Sequence, residues 1–192
     1  MDKNFKFNEA PAKEPVIFDH IFAEKVGGGL VKNAAYDRHP GLAVSADGTC
    51  LKAARLVEAI TAESTSITVA KDSGFAVGEF VGSGVGESGV AVAITAIDSS
   101  HDDYDILTAT LGVALSKGAV VYQAKAASAA ASGNDPAVLA EPKLTPVYVL
   151  GTFLPANCGD ELAKLVNGAN VRKETALFPA EIAALMKGIH LQ

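Results

Sequence analysis

Two stretches of this chain have residue types and spacings that are typical of known binding loops. The first, Gly84-Val85-Gly86-Glu87-Ser88-Gly89, matches the G-x-G-x-x-G pattern. In dinucleotide-binding proteins that loop joins a strand to a helix whose first turn holds a pyrophosphate. Here the next six residues are β-branched at alternate positions and do not favour a helix. We therefore interpret the glycine-rich stretch as the connection of a β-hairpin, and we predict no cofactor.

The second stretch is the acidic segment of residues 98–105. Its Asp-x-Ser-x-Asp pattern, which begins at Asp98, imitates the first three ligand positions of a calcium loop. However, Asp103 stands where such a loop needs glycine, and Ala109 stands at its last ligand position. We interpret the segment as a hairpin turn that Asp and Ser side chains stabilise, with weak cation binding at the tip as the alternative.

The other side chains that could do chemistry are spread along the chain. Cys50 and Cys158 are too few and too far apart for a disulfide framework or a zinc site. We interpret them as free thiols of a protein made in a reducing host cytoplasm. The histidines are also widely separated: His20, His39, His101 and His190. With no nucleophile, base and orienting group in a recognisable pattern, we predict no catalytic, cofactor-binding or metal-binding residues, and no enzyme.

Composition narrows the class of protein. A chain of 192 residues fits one domain, or one domain with an arm. Its residues are 49% hydrophobic but only 6% aromatic, which predicts a core of small and β-branched side chains. The net charge of −6, with basic residues scattered among acidic ones, argues against nucleic-acid binding. The N-terminus is charged throughout and does not resemble a secretory signal, and no apolar run predicts a membrane span.

Residues 65–122 contain a series of short apolar runs separated by Gly, Asp and Ser. We therefore expect strands to position the two loops. The predicted strands are residues 66–70, 79–81, 90–97, 106–110 and 119–122. Several strands at close spacing predict a mainly β fold, an antiparallel barrel or sandwich. Asp47-Gly48 predicts a further hairpin, and Pro146 is expected at the edge or the first residue of a strand within residues 144–154.

Three segments favour helices. Residues 16–26 place their apolar side chains on one helical face, although a strand followed by a loop is the alternative. Residues 160–166 predict a second helix that begins at Asp160. Residues 179–187 predict a short C-terminal helix, which Pro179 begins.

Three further segments complete the prediction. Ile189 and Leu191 suit a closing strand, with His190 on its opposite face. Residues 52–60 are compatible with either a helix or a strand. Residues 125–142 are rich in Ala and Ser and predict a long surface loop.

The chain is therefore predicted to consist of an N-terminal arm with a linker helix, residues 1–29, and a β-rich domain, residues 30–192. The arm is polar, and its anchor residues are Phe5, Phe7, Pro11 and Pro15. Because the two phenylalanines share one face of an extended chain, we expect the arm to dock on a larger partner or a neighbouring subunit by strand addition. The alternative is a disordered tail.

The phrases ITVAKDSGFAVGEFV, ITAIDSSHDDYDILTATLGVAL and KGAVVYQA resemble bacteriophage head fibre and capsid head-decoration proteins, particularly those of phages that infect gut Bacteroidales. The ending GANVRKETALFPAEIAALMKGIHLQ is also similar to the ending of such proteins. The likeness covers residues 41–192.

This resemblance implies a virion structural protein on the outer surface of a phage capsid, on which the arm with Phe5, Phe7, Pro11 and Pro15 would dock. Its expected partners are the major capsid protein and further copies of itself, with a homotrimer favoured and a dimer as the alternative. The rival interpretation is a glycan- or cation-binding adhesion module without a capsid role, whose ligands would come from residues 98–105.

Overall fold

The structure is a computed structural model, and it describes residues 16–131 and 135–192. The described part contains fourteen strands and one short helix. In chain order these are β1 (Phe18–Glu24), β2 (Gly29–Val31), β3 (Ala43–Ser45), β4 (Ala53–Arg55), β5 (Ser66–Ala70), β6 (Phe80–Ser83), β7 (Val90–Ala93), β8 (Ala96–Asp98), β9 (Tyr104–Thr108), β10 (Val120–Ala124), β11 (Pro146–Leu150), β12 (Glu161–Ala163), β13 (Leu165–Val171), α1 (Ala180–Ala183) and β14 (Ile189–Leu191).

The strands form three stacked sheets and one short two-stranded pair. The main sheet has the order β1-β13-β11-β3, and β14 pairs in parallel with β13. The middle sheet has the order β4-β10-β6-β7, and the outer sheet has the order β5-β9-β8. All pairs except β13–β14 are antiparallel, and β2 pairs with β12 beside the main sheet. Within the described residues these sheets do not close into a barrel, so the prediction of a mainly β fold is confirmed, and of the two predicted forms the fold is sandwich-like.

The middle sheet separates two hydrophobic cores. Along β10, Tyr122 and Ala124 belong to the first core, which the main sheet covers, while Val121 belongs to the second core, which the outer sheet covers. Ala53 and Ala54 of β4 divide between the two cores in the same way. This alternation follows from the period of two of a β-strand. Most residues of the middle sheet are small or β-branched, as the composition predicted, and the buried Tyr122 is an exception.

Local turn chemistry explains several of the hairpins. At Asp47-Gly48 the Ser45 N–H donates to the Thr49 carbonyl at 2.9 Å, which confirms the predicted hairpin. Gly48 has a φ of +88°, and a Cβ there would lie 2.1 Å from the Leu30 carbonyl oxygen, so only glycine fits. The Asp47 carboxylate accepts hydrogen bonds from Lys32 and Ser45, and the Lys32 bond holds the pKa of that carboxyl well below its usual range.

Two predicted helices are wrong. Residues 16–26 contain the edge strand β1, which pairs with β13 through a bulged register. Residues 160–166 contain β12 and the start of β13. The Asp160 carboxylate caps no helix and instead accepts the Asn33 N–H at 2.8 Å. In both places pairing with a distant strand overrides a local helical pattern.

Other predictions need smaller changes. The strand expected over residues 90–97 is two strands, because β7 belongs to the middle sheet and β8 to the outer sheet. The open segment of residues 52–60 contains the strand β4. Pro146 is the first residue of β11, as predicted. In the described part of residues 125–142 only isolated β-bridges interrupt the predicted loop.

The C-terminal segment follows the prediction with a shorter helix. Pro179 comes directly before α1, which spans four residues. Ile182 and Met186 are buried, whereas Leu185 is 47% exposed. Gly188 then has a φ of +92° and leads into β14, where Ile189 is buried and His190 exposed. No helix of the described residues is long and apolar enough to span a membrane.

The arm residues Phe5, Phe7, Pro11 and Pro15 lie outside the described residues. The division of the chain at residue 29 stays a prediction. Its linker helix is replaced by β1, which belongs to the main sheet.

Candidate functional site

An open groove with a volume of about 800 Å³ lies where the chain leaves the arm and enters β1. We call it the arm groove, because Val16, the first described residue, lies in its wall. Its apolar lining comes from the start of β1, from β4 and from the segments next to β3 and α1. The main apolar residues are Ile17, Phe18, Ile21, Leu42, Ala53, Phe153 and Leu177. A largely apolar concavity with a few polar groups is the usual form of a binding site.

The rim of the arm groove carries both signs of charge, but its cations already have partners. Arg55 donates to the carbonyl oxygens of Gly118, at 2.6 Å, and Lys173, at 2.8 Å. Burial lowers the pKa of the Arg55 guanidinium, and the nearby Glu174 opposes that shift. Asp37, Asp72 and Glu174 also line the groove. The rim therefore favours a ligand that carries apolar and basic groups together.

Lys71 links the arm groove to the acidic turn of residues 98–105. Its Nζ donates to the carbonyl oxygens of Ser99 and His101, at 2.8 Å each, and to Oδ1 of Asp105 at 3.1 Å. The Lys71 ammonium thus binds three converging oxygens of the kind that would coordinate a metal cation. In the described part of the chain no group of three or more His, Cys, Asp or Glu side chains is placed to hold a metal ion.

The acidic turn itself has the predicted form. It connects β8 and β9, which pair antiparallel. The Ser100 N–H donates to Oδ1 of Asp98 at 2.9 Å, and this bond lowers the pKa of the Asp98 carboxyl. His101 stacks on Tyr104, with 4.3 Å between ring centroids. The hairpin turn is confirmed, and cation binding at its tip stays a prediction.

Arg38, a residue in no recognisable sequence motif, holds one wall of the arm groove. Arg38 is fully buried, and its backbone N–H and C=O both pair with Leu154. Its Nη1 donates to the Lys32 carbonyl at 2.5 Å, and its Nη2 donates to the Pro155 carbonyl at 2.7 Å. Nη2 also lies 2.8 Å from Sγ of Cys158. Arg38 therefore joins the segments that carry Tyr36 and Phe153 into the groove.

The two cysteines, both free thiols in this structure, lie in different environments near Arg38. Cys50 is buried, and burial raises the pKa of its thiol to about 12, although the charge of Arg38 opposes that shift. Its carbonyl accepts a hydrogen bond from the Tyr36 hydroxyl at 3.2 Å. Burial also raises the pKa of Tyr36. Cys158 is partly exposed.

The structure brings together two of the histidines that are far apart in the sequence. His20 and His190 pair with Asn170 from opposite sides, so all three lie in one row across β1, β13 and β14. The centroid of the Phe22 ring lies 6.3 Å from each of the two imidazole centroids, and the ring covers Gly168. We call this exposed group the ring row. His39 instead lies at the arm groove, 5.3 Å from the Phe153 ring.

The glycine-rich stretch is the hairpin loop between β6 and β7, as predicted. A Cβ at Gly89 would lie 2.8 Å from the backbone of Gly84 and from the side chain of Ala140. The Tyr122 hydroxyl also donates to the Gly84 carbonyl at 2.5 Å. Close approach of the chain explains the need for glycine at this position.

Comparisons with known proteins give no family. No protein-family model matches the chain, and neither the curated proteins nor the solved structures contain a significant match. Function must therefore be argued from the arm groove, from the ring row and from the resemblance of short sequence phrases.

Proposed function

We propose that this chain is a virion structural protein, a head fibre or capsid-decoration subunit that binds the outside of a phage capsid. The observation that supports the proposal best is the position of Val16 in the wall of the arm groove. The arm with Phe5 and Phe7 thus joins the domain beside a largely apolar concavity of about 800 Å³. The mainly β fold is compatible with such a subunit, and the proposed role requires no catalytic residue.

The attachment would combine three features. The arm supplies aromatic anchors. The strand β1 pairs only with β13 among the described residues, so its other edge is free to accept a capsid strand. The arm groove accepts an apolar capsid segment whose basic residues face Asp37, Asp72 and Glu174. Each contact alone would contribute a modest binding free energy. Simultaneous binding by the subunits of a homotrimer, or of a dimer, would raise the overall affinity for the capsid.

Co-sedimentation with capsids tests this proposal. A chain without residues 1–15 should remain folded and oligomeric but should no longer sediment with capsids. The variant Phe153→Asp changes the groove rim at a position that is 43% exposed and should weaken capsid binding at least tenfold. The matched control is Val77→Asp, because Val77 is 61% exposed and does not line the arm groove. Undiminished capsid binding by both the truncated chain and Phe153→Asp would refute the attachment mechanism.

The second candidate function is a glycan-binding adhesion module, and the ring row is the observation that favours it. Phe22 is 53% exposed and lies 6.3 Å from each of two imidazoles, and Asn170, which pairs with both histidines, carries an amide that can bond sugar hydroxyls. Aromatic rings present an apolar face to ligands, while the groups around this ring supply polar contacts. Binding of neutral polysaccharides that Phe22→Ala abolishes, without any capsid binding by the wild-type protein, would favour this function.

A further inference from the structure

The arm groove combines an apolar lining with an acidic rim. Asp37, Asp72 and Glu174 line it, and none of these carboxylates forms an ion pair with a residue that the structure describes. The lysine and the arginine of the same lining bond elsewhere: Lys71 donates to the acidic turn, and Arg55 donates to backbone carbonyl oxygens. The groove therefore fits a segment in which large apolar side chains are next to a basic one.

The arm contains such a segment. Residues 3–7 read Lys-Asn-Phe-Lys-Phe, so Phe5 and Phe7 share one face of an extended chain. In the apolar part of the groove each of these two side chains would remove about 150–250 Å² from water. The long side chain of Lys6 would stay at the rim, where its ammonium can face the carboxylates.

The backbone just before β1 brings the arm to this rim. The Val16 carbonyl accepts a hydrogen bond from the Thr175 hydroxyl at 3.0 Å, and the Ile17 carbonyl accepts the Arg172 N–H at 2.9 Å. These bonds hold Val16 next to the segment that carries Glu174, and both residues line the groove. The arm therefore starts inside the site that its own sequence fits.

The connection is long enough for the arm to return to the groove. Residues 8–15 separate Phe7 from Val16. A chain of this length spans up to roughly 27 Å when it is extended, which is ample for a concavity of about 800 Å³. A short tether also gives the segment an effective concentration on the order of millimolar, so a weak contact is enough to fill the groove.

We propose that residues 3–7 bind in the arm groove of the same chain while the protein is free of other partners. This inference holds whether or not the protein binds capsids. If the proposed function is correct, it adds a step, because a capsid segment with apolar and basic side chains would displace the arm. Phe5 and Phe7 would then become available to the capsid, and only this step rests on the proposed function.

The first test uses the absence of tryptophan from the sequence, so that one introduced indole reports on the arm alone. In full-length Phe7→Trp, acrylamide should quench the fluorescence about threefold less than in full-length Ala12→Trp, because the groove shields the first ring from water. Ala12 lies in the connection and serves as the matched control. Equal quenching of the two proteins would overturn the proposal.

A second substitution shows whether the groove is the source of this protection. Phe153 lines the groove and is 43% exposed, so Phe153→Asp in the Phe7→Trp chain should raise the quenching to the level of Ala12→Trp. Val77→Asp in the same chain should leave the protection unchanged, because Val77 is 61% exposed and does not line the groove. Protection that survives Phe153→Asp would place the arm elsewhere and overturn the proposal.

Charge reversal in the arm tests the acidic rim without altering either core. In the Phe7→Trp chain, Lys6→Glu places a carboxylate against the rim and should raise the quenching, whereas Lys13→Glu in the connection should not. Equal quenching of these two variants would overturn the match between Lys6 and the rim.

Mixing distinguishes the chain's own groove from that of a second copy. The chain that carries both Phe7→Trp and Phe153→Asp is refolded from urea together with an excess of wild-type protein, which contributes no indole signal. We expect its tryptophan to stay as accessible to acrylamide as before mixing. Restored protection would mean that the arm enters the groove of a neighbouring subunit, and it would overturn the assignment to the same chain. Because no capsid is present in these experiments, their outcome is independent of the proposed function.

Discussion

The two cores of this protein lie on opposite faces of one middle sheet, yet they are built differently. The first core contains large and irregular side chains, among them Tyr122, Phe178 and Met186, and the helix α1 closes it. The buried members of the second core are all aliphatic, such as Ile67 and Leu107. The arm groove takes its lining from around the first core, whereas the second core supports the acidic turn. The first core thus combines side chains of different shapes, whereas the second core needs only the aliphatic side chains of regular strands.

The largest expected effect comes from truncating a large side chain of the first core. Phe178→Ala should lower the free energy of unfolding by about 3–5 kcal/mol, because a large cavity replaces a side chain that is 2% exposed. Leu107→Ala in the second core should cost about 2–4 kcal/mol, because a smaller side chain is lost. Urea unfolding measures both values. A larger loss for Leu107→Ala would reverse the proposed contrast.

Removing Lys71 should give the next largest effect. In Lys71→Met the Asp105 carboxylate, in a residue that is 6% exposed, and two turn carbonyls lose their shared donor. We expect a loss of about 1–3 kcal/mol in urea unfolding. Lys125→Met is the matched control, because it breaks an exposed ion pair of 3.6 Å and should cost below about 1 kcal/mol. Equal losses of unfolding free energy in the two variants would show that the Lys71 contacts stabilise the protein no more than an exposed ion pair does.

The contacts of Lys71 also predict how the acidic turn responds to calcium. Because the ammonium binds the oxygens of Ser99, His101 and Asp105, millimolar calcium should raise the melting temperature of the wild-type protein by less than about 1 °C. Thermal unfolding with calcium and with a chelator measures the difference. A clear calcium-dependent rise that Asp102→Ala removes would support the cation-binding adhesion module.

The smallest expected effect is a pH dependence from Asp98. The Ser100 N–H lowers the pKa of this carboxyl in the folded state. The contribution of the Asp98 carboxylate to the free energy of unfolding is therefore complete above the unfolded pKa of about 3.9. This contribution is lost as the pH falls through the lower pKa of the folded state. Compared with Asp98→Asn, the wild-type protein should lose more stability between about pH 5 and pH 2. Parallel stability curves of the two proteins would contradict this.

Local chemistry made much of the fold predictable. Asp47-Gly48 and the glycine-rich loop define hairpins through their own turn residues, and the alternating Ser66–Ala70 is a strand with the predicted bounds. These features depend on neighbours in the sequence. The prediction of small and β-branched side chains describes the second core better than the first, because the first core also contains Tyr122, Phe178 and Met186.

Distant pairing explains the errors. Residues 160–166 have a helical pattern, but β12 and β13 are strands because β2 and β1 lie beside them. Arg38 could not be identified as a buried anchor, since its partners Lys32 and Pro155 are joined only by folding. The ring row was missed for the same reason, because His20 and His190 meet through β13. The arm residues stay predictions.

Under the attachment proposed above, the pairing of β1 with β13 has a mechanical consequence. A pull on residue 16 along the strand axis acts in shear on the hydrogen bonds that join these two strands from Phe18 to Glu24. Bonds that are stretched in shear share the force, whereas bonds at a peeling end break one after another. A subunit anchored in this way would resist detachment by hydrodynamic drag better than one tethered at the end of a hairpin.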